Sequence, residues 1–110
     1  MTPEGKVKHA LMQALKRENI DSVFSIAEKS IGIVISLEMF RIKGLPDKVV
    51  LLKGGKVVFI EVKREIGGEL SIYQNRVIGI LMDLAFDVRV VSNKDAIKIV
   101  VAELVAMAEG

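Results

Sequence analysis

The sequence predicts a three-layer α/β domain, a mixed central β-sheet flanked by helices, spanning residues 1–110 as one domain. Three observations predict it. The elements run helix, several strands, helix, strand, helix. The step from strand Val57–Lys63 through a helix to strand Asp87–Val91 implies a right-handed crossover and a parallel pair. The runs Lys48–Leu52 and Val57–Ile60 are apolar at successive positions apart from Lys48, as in strands covered on both sides.

The first helix is expected to start at Thr2 as N-cap, with Pro3 at the first helical position, where its missing N–H costs nothing. Val7, Leu11, Ala14 and Leu15 keep helical spacing, and Asn19 is placed to end the helix. Asp21–Ile26 reads as a strand, with a helix over Phe24–Lys29 as the alternative, and Ala27–Ser30 as a turn. Ile31–Leu37 is β-branched and reads as a strand that Glu38–Ile42 extends. The hairpin follows, with Gly54-Gly55 at its turn, and residues 65–69 break the second strand. A second helix is expected from Leu70 or Ser71 to Leu84, burying Tyr73, Val77, Ile80, Leu81 and Leu84. After strand Asp87–Val91, Ser92 or Asn93 caps a third helix with Ile97, Val100, Val101, Leu104 and Val105 on its apolar face.

Composition narrows the chemistry. With no Cys and a single His, His9, the chain offers neither a disulfide framework nor a multi-His zinc site. No apolar run is long enough to span a bilayer, and Met1–Glu4 reads as neither an apolar core nor a basic leader. A soluble intracellular protein with no membrane partner is the expectation. A mean hydropathy of +0.42 in 110 residues leaves apolar surface for a second chain, so a homodimer is expected. Charge is unevenly spread. Residues 41–64 hold seven Lys/Arg against two acids, residues 1–40 are neutral, and residues 65–110 are acidic by three. A basic hairpin suits a polyanion such as nucleic acid, and lysines that guard strand edges look the same in sequence.

Three ionisable groups gather at the far end of the hairpin: Asp47, Glu61 and Lys63. Alternation puts Glu61 and Lys63 on one face of their strand, about 7 Å apart. A two-residue turn at Gly54-Gly55 would set Asp47 opposite Val62, on the wrong face for Glu61. Convergence of Asp47 with Glu61 therefore requires a three- or five-residue loop, or a bulge near Asp47. If they converge, two carboxylates at a sheet end are hard oxygen ligands for Mg²⁺ or Mn²⁺, which draw their remaining ligands from water and substrate phosphate. Lys63 would then orient a water or stabilise charge developing on the phosphorane. Taken singly, Pro46-Asp47 is an ordinary turn and Glu61 with Lys63 a solvated strand end.

The string Pro46-Asp47, then Glu61-Val62-Lys63 after a hairpin, resembles the PD-(D/E)XK nuclease signature. With Gly44-Leu45, Phe59-Ile60, Leu70-Ser71-Ile72-Tyr73-Gln74 and Phe86-Asp87-Val88-Arg89-Val90-Val91 in that order, the chain resembles the VRR-NUC domain from about Glu4 to Leu104. Residues 19–43 depart from that family's Gly-rich, aromatic character. The resemblance implies a restriction-endonuclease-like fold. It implies Asp47, Glu61 and the Val62 carbonyl as ligands of Mg²⁺ or Mn²⁺, with Glu4 approaching the same centre. It implies Lys63 as the catalytic lysine and Gln74 as a helix glutamine beside the site. It further implies a homodimeric endonuclease of the stand-alone type found in phages and bacteria, acting on branched DNA (Holliday junctions or flaps) in the cytoplasm of a bacterium or infected host cell. The alternative is a module of the same fold that binds nucleic acid, or serves as a scaffold, without cutting.

Overall fold

The structure, a computed structural model, describes residues 1–64 and 66–110. Five strands, β1 (Ile20–Ser22), β2 (Gly32–Ser36), β3 (Lys48–Leu52), β4 (Lys56–Val62) and β5 (Asp87–Val91), lie side by side in chain order. β1 is parallel to β2 and β4 to β5, while β2–β3 and β3–β4 are antiparallel, so the sheet is mixed as expected. Three helices complete the fold: α1 (Pro3–Arg17), α2 (Ile72–Asp83) and α3 (Lys94–Glu109).

The helix ends follow local chemistry. Thr2 Oγ1 accepts from the Gly5 N–H at 3.0 Å, with Pro3 opening α1. Asn19 takes a left-handed φ of 62°, which Asn tolerates better than most residues, and turns the chain into β1. Asn93, rather than Ser92, caps α3 through Oδ1 and the Ala96 N–H, 2.8 Å apart.

Alternation along β4 sorts the two sheet faces. Val58, Ile60 and Val62 are fully buried against Leu11 and Leu15 of α1 and Val101 and Leu104 of α3. Val57, Phe59 and Glu61 point to the opposite face, towards which α2 presents Gln74.

Three expectations need correction. The strand expected over 21–26 stops at Ser22 and becomes a 3₁₀ turn, Val23–Ser25. Short polar side chains divert it: Ser30 Oγ donates to Asp21 at 2.5 Å and accepts from the Ala27 N–H at 3.0 Å. The alternative helix over 24–29 does not form either. Glu38–Ile42 does not extend β2 but opens with a 3₁₀ turn, Glu38–Phe40, closed by Arg41 at φ 53°. The ladder ends where the Leu37 N–H reaches the Asp47 carbonyl, and the Glu38 carboxylate is taken by two lysines. Finally, the apolar stripe of α2 is largely uncovered. Ile78 is its buried residue, while Tyr73, Ile80 and Leu84 are exposed. Of the turn expected over 65–69, Glu65 lies outside the described residues, and Ile66–Gly67 form a turn.

Candidate active site

The hairpin loop decides whether the carboxylates meet. Leu52 pairs with Lys56, which leaves a three-residue loop, Lys53–Gly55. Gly54 and Gly55 both take positive φ, at 85° and 75°, a conformation that a Cβ would oppose. Lys48 pairs with Ile60, and the same register sets Asp47 across from Glu61. The odd-numbered loop supplies the parity that convergence requires.

Pro46 is fully buried and leads the chain into β3. Asp47 Oδ2 accepts the Val62 N–H at 2.7 Å, so the carboxylate closes the end of the β3–β4 ladder. Glu61 is 1% exposed. Gln74 donates through Nε2 to Glu61 Oε2, while Glu61 Oε1 is buried with no hydrogen-bond partner among the described residues. Burial, then the Asp47 carboxylate close beside it, push the Glu61 carboxyl up to about 9. Lys63 opposes that shift and Glu4 adds to it.

Gln74 is oriented by the start of its own helix. Its Oε1 accepts the Ser71 N–H at 2.8 Å, and its own N–H donates to Ser71 Oγ at 3.1 Å. This capping box spends the amide oxygen on the helix end and leaves the NH₂ to face Glu61. Gly44 holds the neighbouring loop against the same turn. A Cβ there would lie 2.4 Å from the Tyr73 carbonyl oxygen, and φ is 83°.

The other predicted residues lie around this pair. Glu4, in the first turn of α1, and Lys63 line one groove with Arg64 and Gly67–Glu69. Glu4 is tied to Lys8 at 3.5 Å. Among the described residues no three His, Asp or Glu side chains come together closely enough to hold a metal by themselves. The carboxylate pair is Asp47 with Glu61, and Glu4 stands at its border.

Three charged residues at the site were not singled out from sequence. Lys8 Nζ lies 2.7 Å from Glu38 Oε2 and 3.7 Å from Asp47 Oδ1. Lys48, itself buried, gives Nζ to Glu38 Oε1 at 2.8 Å and to Ser36 Oγ at 2.9 Å. Burial works against the Lys8 charge, but the Glu38 contact and the charges of Asp47, Glu38 and Glu4 prevail and raise its pKa. For Glu38 burial is likewise outweighed by Lys48 and Lys8, which lower its pKa. The available signals were the lone charge in an apolar strand at Lys48 and the spacing of four that puts Lys8 on the Glu4 face of α1.

No family model and no curated protein matches the chain. Among solved structures, one described as a VRR_NUC domain superposes with a TM-score of 0.69 at 23% identity, covering 93% of this chain and 97% of that one. The chain has the fold of a VRR_NUC domain. That fold is restriction-endonuclease-like, and the likeness covers all but a small share of the chain.

The site's own chemistry fits a hard divalent cation. It holds two adjacent carboxylates, one with an unsatisfied buried oxygen, at a strand end that supplies backbone carbonyls.

Proposed function

We propose that this chain is a Mg²⁺- or Mn²⁺-dependent endonuclease that hydrolyses DNA phosphodiester bonds, structure-specifically on branched DNA, as a homodimer. The observation that carries the reading is the buried Glu61 Oε1 beside Asp47, without a hydrogen-bond partner among the described residues. A buried carboxylate is costly unless paired or bound to a cation, and a second carboxylate beside it raises the cost. A divalent cation removes that cost. The VRR_NUC fold and the basic character of residues 41–64 agree with a nucleic-acid substrate.

Asp47 and Glu61 would hold the cation, with the Val62 carbonyl, and with Glu4 reaching it from the groove edge. When bound, it would polarise the scissile phosphate and make a coordinated water more acidic. Lys63 lines the groove and would steady the attacking water or the charge gathering on the phosphate oxygens. Gln74 fixes the Glu61 carboxyl in one orientation through Oε2 and leaves Oε1 for the cation. Lys8 Nζ, 3.7 Å from Asp47 Oδ1, offsets part of that carboxylate's charge.

The uncovered sheet face supports the dimer. Leu51, Val90 and Phe86 are each more than a third exposed, beside the uncovered Ile80 and Leu84. A two-fold pairing would bury this surface and set two sites towards strands of opposite polarity. Sedimentation showing a dimer at micromolar concentration is expected, and a monomer there would count against the junction substrate.

The deciding experiment is incubation with Mg²⁺ or Mn²⁺ and labelled branched, duplex and single-stranded DNA. Cleavage that is strongest on branched DNA and is lost in Asp47→Ala and Lys63→Ala is expected. Binding without cleavage in either metal would leave a nucleic-acid-binding module of the same fold.

A further inference from the structure

Beside the site lies a cavity of about 610 Å³ between the N-terminal turns of α1 and α3 and the chain leaving β4. Its volume falls within the range of small-molecule sites. Its walls divide by chemistry. Val7, Ala10 and Ile97 form an apolar side, and Lys6, Arg64 and Lys94 supply three cations. Asp95, in the first turn of α3, is the acid among the described lining residues. Among the described residues no carboxylate forms an ion pair with Lys6, Arg64 or Lys94. Arg64 and Pro3 also line the groove that holds Glu4 and Lys63, so the cavity adjoins that groove.

We infer that this cavity takes one unstacked nucleotide of the DNA strand lying in the active-site groove. The inference rests on the nuclease reading for its source of ligand, but its binding chemistry stands apart from cleavage. Three cations would seat the phosphate, and the apolar wall would receive the base in place of its stacking neighbours. A base-paired, stacked strand cannot enter without paying to unstack, whereas a strand at a branch or an end has already lost neighbours. The cavity therefore favours substrates with unpaired nucleotides near the cut. It supplies a physical source of structure selectivity that the carboxylates and Lys63 do not.

The test uses the intact chain and two readouts. Without metal, titration with thymidine 5′-monophosphate should shift the methyl resonances of Val7 and Ile97, and Lys94→Glu should weaken that binding by about tenfold or more. Inorganic phosphate that reproduces the same methyl shifts would overturn the base seat, as would their absence with the nucleotide. In cleavage assays, Lys6→Glu and Lys94→Glu should each raise KM for branched DNA by about tenfold with kcat nearly unchanged. Lys98→Glu, the same charge change on α3 outside the cavity, should not. Equal KM values in all three variants would overturn the inference. Nucleotide binding in a protein that cuts nothing would uphold the cavity and reject the nuclease reading.

Discussion

Two charged clusters sit on the same sheet, and they are built on opposite terms. On β5, Arg89 is gripped by Asp87 at 2.6 Å and by Glu103 of α3, so each group meets an opposite charge. At the end of β3 and β4, Lys8, Glu38 and Lys48 also pair, but the arrangement stops short of Glu61. One Glu61 oxygen there has no hydrogen-bond partner among the described residues, and the carboxyl is pushed up to about 9. The first cluster is closed and ties a strand to a helix. The second is left incomplete where a cation and a phosphate would fit. Charge density alone does not separate the two; the unsatisfied atom does.

The contrast breaks most sharply under substitution. Asp47→Ala should cut cleavage by about three orders of magnitude, measured as single-turnover rate in Mn²⁺. Arg89→Met should leave that rate unchanged. If both variants lose activity alike, the clusters do not differ in kind.

Stability should respond in the reverse sense. Glu61→Gln removes a buried carboxyl that folding holds against ionisation, and should stabilise the metal-free protein by about 1–3 kcal/mol near neutral pH. The folded pKa lies above the unfolded value, so the Glu61 contribution is most favourable below about 4.5 and is lost as pH rises towards about 9. Denaturant titrations across that window should show the gain from Glu61→Gln growing with pH. Arg89→Met, by contrast, should destabilise by about 1–2 kcal/mol at neutral pH, because it strands two carboxylates. The smallest effect is expected for Gln74→Ala. Losing the capping box and the Glu61 contact should cost about 1 kcal/mol by thermal denaturation.

How much of this was legible in the sequence depended on the range of the cause. The hairpin was legible, because alternation and loop parity follow from local geometry. Asp47 could face Glu61 only across an odd loop or past a bulge, and the structure has the three-residue loop Lys53–Gly55. The start of α1 was written in Thr2-Pro3, as local as a signal can be. The Gln74 amide was placed near the site by resemblance, but its orientation came from a capping box with Ser71 that was not singled out. Lys8 and Glu38 were invisible because they meet across thirty residues, through packing of α1 against the β2–β3 connection, with no period or motif to announce it. The α2 stripe shows a different limit. Ile80 and Leu84 keep the spacing of a buried face, but a periodic pattern states that a surface is apolar, not that this chain covers it.

The central claim is that the Asp47–Glu61 pair is completed by a divalent cation that displaces a proton from Glu61. Calorimetric titration of Mn²⁺ near neutral pH, in buffers of different ionisation enthalpy, measures that proton directly. The account predicts binding with release of about one proton per cation, abolished in Asp47→Ala and with the release lost in Glu61→Gln. Absence of binding, or binding whose proton release is the same in Glu61→Gln as in the unaltered protein, would contradict it.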